Sequence, residues 1–196
     1  MKKIQLLLTL LALVLAVGML TLSCGESGIE TGETILNPIQ PLIVATAPTN
    51  SIGGASEQKL AQTIIINHSG ILTGVFLPLD CSSGDLNVEI RNVTGSLPDM
   101  RVVSSNSFPA DSLITDVTVF KLFQLPASTV TSGDSLAVVL SNETGTCGMS
   151  SGPIGDPYAG GEAFFDARPA APGWVPFTEF DSTAHDLAFQ ILLEDI

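Results

Sequence analysis

The stretch TVTSGDSLAVVLSN, residues 129–142, decides what kind of fold this chain adopts. Ser135 stands directly after a Gly-Asp pair, and two readings compete for it. In one, Ser135 sits on a sharp turn between a strand and a helix, where backbone N–H groups and a histidine would make it a nucleophile. In the other, Gly133 and Asp134 are ordinary turn residues and Ser135 opens a β-strand. The following residues favour the second reading, because SLAVVLSN is a short β-branched apolar run that ends at Asn142.

The rest of the chain has the same grammar. DLNVEIRN (85–92) alternates, with Leu86, Val88 and Ile90 on one face and Asp85, Asn87, Glu89 and Arg91 on the other. DLAFQILLED (186–195) points Leu187, Phe189, Ile191 and Leu193 inward. Similar segments at 60–67, 72–80, 100–105, 116–125, 161–167 and 174–180 are mostly bounded by Gly, Pro, Asn, Asp or Ser, and no helical period intervenes. About eight or nine strands at this spacing predict an all-β fold, an antiparallel β-sandwich or jelly roll. Pattern alone does not separate that fold from a closed barrel.

The letters Gly133-Asp134-Ser135-Leu136 resemble the motif of the GDSL serine esterases, and esterase activity through Ser135 is an alternative for this chain. That family sets the motif near the mature N-terminus of an α/β fold, with a helix after it. Here the motif lies in the C-terminal half, before a strand. The family also separates its C-terminal Asp and His by two residues, whereas Asp181 and His185 have three between them. The reading is therefore of a protein that is not an enzyme.

At the N-terminus, Lys2 and Lys3 precede an apolar run from Ile4 to Leu22, the pattern of an export signal. Its length of about 19 residues would also let it stay as a membrane anchor. LTLSCG resembles a lipobox, which predicts cleavage and lipidation at Cys24, although Thr21 stands where a branched aliphatic residue is preferred. The expected organisation is a lipoprotein-type signal peptide at 1–23, a flexible tether rich in Gly, Ser, Thr and Pro at 24–58, and a β-sandwich domain at 59–196. Localisation is accordingly extracytoplasmic, anchored in a bacterial cell envelope.

Cys81 and Cys147 remain as a pair in a compartment that permits disulfides. A bridge between them is expected, with two buried thiols as the alternative. The leader carries two of the seven Lys+Arg and none of the twenty Asp+Glu, so five cations face twenty acids in the remainder, a net charge of −15. Such a body repels nucleic acid. No Cys-x-x-Cys pair or histidine spacing marks a zinc site. Calcium is the one cofactor worth weighing, on Asp80, Asp85, Asp156 and Asp181, but no D-x-D-x-D-G loop supports it, and the expectation is no bound metal.

The most unusual segment is GPIGDPYAGGEAFFDARPAAPGWVPF (152–177), which holds five glycines, five prolines, the only tyrosine and the only tryptophan. Long irregular segments on β scaffolds often carry function. The candidate ligand-binding set is a sugar platform in which Tyr158 and Trp174 stack on ring faces while Asp156, Asp166 and Arg168 hydrogen-bond hydroxyls. The alternative is that the aromatics plug the end of the sandwich and Asp166 pairs with Arg168 at the surface.

Taken in order, AQTIII, GILTGVFLPLDCSSGDLNVEIRNVTGSLPD, VTSGDSLAVVLSN and above all GDPYAGGEAFFDARP resemble a class of secreted bacterial β-sandwich modules of jelly-roll or galactose-binding-like architecture, here on a lipoprotein. The resemblance spans about 61–194 and implies export and a modular surface role. It brings no catalytic residues. The expected function is non-enzymatic binding of a glycan or envelope polymer, and the alternative is a structural or assembly lipoprotein acting through contacts with an envelope protein.

Overall fold

The computed structural model describes residues 34–36, 49–113, 116–168, 171–183 and 186–196. Within them the chain is all-β, with three short 3-10 segments and no α-helix. The strands are β1 (Thr34–Leu36), β2 (Thr49–Gly53), β3 (Lys59–Ile65), β4 (Gly70–Leu77), β5 (Leu79–Ser83), β6 (Asp85–Thr94), β7 (Leu97–Pro109), β8 (Lys121–Val130), β9 (Ser135–Ser141), β10 (Thr146–Ser150), β11 (Ala163–Ala167), β12 (Ala171–Pro176) and β13 (Gln190–Glu194). They make three antiparallel sheets, ordered β12-β11-β3-β9-β6-β7, β1-β13-β4-β8 and β2-β10-β5. The fold is sandwich-like, and the sheets do not close into a barrel.

The stretch that begins at Ser135 is the strand β9, flanked in the six-stranded sheet by β3 and β6. Its apolar run is continuous because both of its faces are covered. Leu136, Val138 and Leu140 face the main core, while Ala137 and Val139 pack with Ala61 and Phe164 on the outer face. The alternation in β6 is explained in the same way: Leu86, Val88 and Ile90 are fully buried in the main core. Each such side chain contributes about 1.5–3 kcal/mol on leaving water, which is why the period-2 pattern fixes the register. Leu187, Phe189, Ile191 and Leu193 are all buried as expected, although the strand there starts only at Gln190.

Strand β6 turns into β7 through Gly95 and Ser96, both with positive φ (59° and 73°), the backbone of a two-residue hairpin turn. The partner strand therefore begins at Leu97 and runs to Pro109, well beyond the expected 100–105. In other places the elements are shorter. Asp116–Lys121 opens with a turn in which the Asp116 carboxylate accepts from the Thr118 N–H, so β8 begins at Lys121. Pro176 ends β12, and Phe177–Glu179 is a 3-10 turn.

Thr49–Gly53 falls in the stretch assigned by composition to the tether, yet it forms β2 against β10, with Ile52 fully buried. TNSIG has a single large apolar residue, so its order comes from its partner and not from its own pattern. Cys81 of β5 and Cys147 of β10 are register partners and form the disulfide, across a separation of 66 residues. Cys24, the expected leader and the tether residues 24–33 and 37–48 lie outside the described residues.

One polar network crosses the buried interior. The Gln62 side chain, 1% exposed, donates through Nε2 to Asp186 Oδ1 (2.9 Å) and accepts from the Leu187 N–H (2.8 Å). Asp186 Oδ2 in turn accepts from the Tyr158 N–H (3.1 Å). These bonds satisfy backbone donors of two irregular stretches, at Tyr158 and at Leu187, that lie outside the named strands.

Candidate functional site

The five residues expected to form a sugar platform separate into two groups. Tyr158 lies at the Ile65 end of β3, where its hydroxyl accepts from the Ile65 N–H (2.8 Å) and donates to the Ile65 carbonyl (3.2 Å). Its ring meets Phe189 edge-on at 5.5 Å. Burial pushes the phenol pKa above its ordinary value, the backbone bond to Ile65 opposes this, and the negative charge of Asp186 adds to it. Asp156 is exposed in the preceding loop.

Asp166, Arg168 and Trp174 gather toward the other end of β3, around the β11–β12 hairpin. Asp166 is the register partner of Lys59, accepts from the Gly173 N–H (3.0 Å), and lies 3.9 Å from Arg168 Nε. Trp174 packs against the outer-face cluster of Ala61, Ala137, Val139 and Phe164. Tyr158 packs against the main core on the opposite side of the sheet. The two rings thus do not share a surface, because residues close in sequence flank a sheet that runs between them.

The Gly-Asp-Ser stretch is a turn leading into a strand. Gly133 has φ 95°, the Asp134 carboxylate accepts from the Thr131 N–H (2.7 Å), and Ser135 pairs in register with Ile65. His185 lies outside the described residues. Among the described residues, no three acidic, histidine or cysteine side chains gather in a way that could hold a metal ion. Of the aspartates weighed for calcium, Asp181 accepts from both the N–H (2.9 Å) and the hydroxyl (2.6 Å) of Thr183, and these bonds hold its carboxyl below the usual range.

An aromatic cleft forms elsewhere, around three phenylalanines outside the expected platform. Phe165, Phe177 and Phe180 line a cavity of about 340 Å³ together with Asn50, Gln58, Ser151 and Asp181. Phe180 stands 75% exposed, with its ring edge-on to Phe165 at 4.9 Å, and Phe165 meets Phe177 at 5.7 Å. Three consecutive features of VPFTEF build it. Pro176 stops the strand, the 3-10 turn follows, and side chains three apart in such a turn eclipse, which sets Phe177 and Phe180 on one side.

The polar rim of this cleft is held in place. Asn50 Nδ2 donates to Ser151 Oγ (2.7 Å) and Gln58 Nε2 donates to the Ser51 carbonyl (2.7 Å). Among the described residues neither amide oxygen accepts a hydrogen bond, so both remain as acceptors for a ligand. Asp181 adds an ionised carboxylate. An apolar plane bordered by fixed acceptors suits a ligand with an apolar face and peripheral hydroxyls.

A second cleft, of about 430 Å³, opens next to it and is ionic. It is lined by Glu57, Lys59, Ser141, Asn142, Glu143 and Arg168. The segment 57–59 divides the two, since Gln58 lines the aromatic cleft while Glu57 and Lys59 line the ionic one. Compared with known proteins, the chain matches no family model and no curated sequence.

Proposed function

We propose that this protein is a non-catalytic binding module of the bacterial cell envelope, tethered through a lipidated Cys24, and that it holds a sugar unit of a glycan or envelope polymer in the Phe165–Phe177–Phe180 cleft. The observation that carries the reading is Phe180. A ring left 75% exposed forgoes burial worth about 1.5–3 kcal/mol. That cost is offset when a sugar face covers the ring, while Asn50, Gln58 and Asp181 accept hydroxyl hydrogens. The Cys81–Cys147 disulfide supports an oxidising, extracytoplasmic setting.

The same β scaffold supports a second reading, assembly through protein contacts, on Leu97, Met100 and Val102. These are exposed along β7, an edge strand of the six-stranded sheet. Affinity electrophoresis of the wild type and Phe180→Ala through gels containing soluble polysaccharides separates the two readings. Retardation that is lost in Phe180→Ala and kept in Trp174→Ala supports the glycan cleft. If no polysaccharide in a broad panel retards the wild type, the glycan reading fails and envelope proteins become the partners to seek.

A further inference from the structure

The ionic cleft is where two cations that the fold leaves uncommitted meet two carboxylates. Of its seven Lys+Arg residues, five lie at or after position 59. Three of those five are committed to the fold. Arg91 pairs with Glu89, Arg101 with Asp99, and Lys121 Nζ donates to the carbonyls of Leu79 and Asp116. The other two, Lys59 and Arg168, line this single cleft.

Among the described residues no carboxylate lies within 4.0 Å of Lys59, and neither Glu57 nor Glu143 makes an ion pair. Among the described residues the Arg168 side chain has one ion-pair contact, Nε at 3.9 Å from Asp166, which leaves its terminal N–H groups to a ligand. Two positive and two negative side chains therefore face one cavity without neutralising each other.

The walls that carry them are fixed. The Arg168 N–H donates to the Ser56 carbonyl (2.7 Å), tying the end of β11 to the segment that carries Glu57. Beneath Glu143, the buried Asn142 side chain donates to the Ser83 carbonyl (2.9 Å) and to Cys147 Sγ (3.2 Å) and accepts from the Thr144 N–H (3.2 Å). The loop is thereby pinned to the disulfide.

A plain anion would meet Glu57 and Glu143, a plain cation would meet Lys59 and Arg168, and a neutral sugar would leave all four unpaired. A ligand with both charges answers the whole set. We propose that this cleft binds the ammonium and carboxylate of a small zwitterion, a free amino acid or a short peptide, with the carboxylate on Arg168 and Lys59 and the ammonium on Glu57 and Glu143. The cavity is of ordinary size for a small-molecule site. The proposal is independent of the glycan reading, because the aromatic cleft lies across the segment 57–59.

Isothermal titration calorimetry on the full chain in mild detergent tests it, with alanine, alanyl-alanine, N-acetylalanine and alaninamide as probes. The expected result is saturable binding of alanine or alanyl-alanine, weakened at least tenfold in both blocked compounds, since each lacks one charge. Tighter binding of alanyl-alanine than of alanine marks a peptide as the source of the ligand, and the reverse marks the free amino acid. Arg168→Gln should weaken binding at least tenfold with an unchanged melting temperature. Glu143→Gln should reduce the preference for the free over the acetylated amine, and Phe180→Ala should bind as the wild type does. Absence of saturable heat for both zwitterions, equal binding of the blocked compounds, or wild-type affinity in both charge variants overturns the proposal.

Discussion

Replacing Gln62 with methionine, a side chain of similar length, removes both polar ends of the buried network while leaving little empty space. The Gln62 side chain is 1% exposed and makes one bond to a carboxylate, Nε2 to Asp186 Oδ1 at 2.9 Å. A hydrogen bond to a charged group is worth about 1.5–3 kcal/mol. Its Oε1 is also the acceptor for the Leu187 N–H at 2.8 Å, and stranding a buried donor costs about 1–3 kcal/mol. With the shape retained, Gln62→Met should therefore destabilise the protein by about 3–5 kcal/mol. Urea denaturation followed by circular dichroism reads this as a lower midpoint at unchanged slope. A loss below about 1 kcal/mol would refute the reasoning, since it would mean that these groups find other partners at no cost.

Three further outcomes follow from the same structure. Changing both Cys81 and Cys147 to alanine releases a loop of 66 residues and should cost about 4 kcal/mol in urea denaturation, and a loss under about 1 kcal/mol would contradict the entropic account. A Cβ on Gly161 would come to 1.8 Å from the Thr63 carbonyl oxygen, so Gly161→Ala should cost at least about 2 kcal/mol, whereas Gly148→Ala, whose nearest new neighbour is at 3.6 Å, should be close to neutral. Burial raises the folded-state pKa of Tyr158 above 10.0, so its contribution is fully present below pH 10.0 and is lost as the pH rises through the folded value. Tyr158→Phe should accordingly show a shallower fall in melting temperature above pH 10.0 than the wild type, and an unchanged alkaline slope would assign that fall to other groups.

Much of the sandwich was legible in the sequence because alternation reports burial directly. DLNVEIRN and SLAVVLSN are where they should be, one with a single buried face and the other with two. The disulfide was legible from the expected export and the cysteine number. Strands β2 and β10 were not, since TNSIG and TCGMS have too few apolar residues to show a period and are ordered by each other and by the Cys81–Cys147 bridge. The aromatic residues of 152–177 misled for a related reason. Tyr158 and Trp174 are close along the chain, but β11 carries the chain along β3 between them and delivers the rings to opposite sides of a sheet. The aromatic cleft has a signal of its own, a proline followed by two phenylalanines three residues apart, but WVPFTEF also has the composition of a strand, which masks the turn.

The proposal that a sugar binds in the Phe165–Phe177–Phe180 cleft is tested most directly by titrating an oligosaccharide from a retarding polysaccharide into the chain, with phenylalanine rings carrying a carbon-13 label, and following the ring and indole resonances by NMR. Saturable shifts of Phe180, Phe165 and Phe177, with the Trp174 indole unmoved, are the predicted result. Shifts at Trp174 or Tyr158 with Phe180 unmoved would contradict the account and restore the platform expected from the sequence.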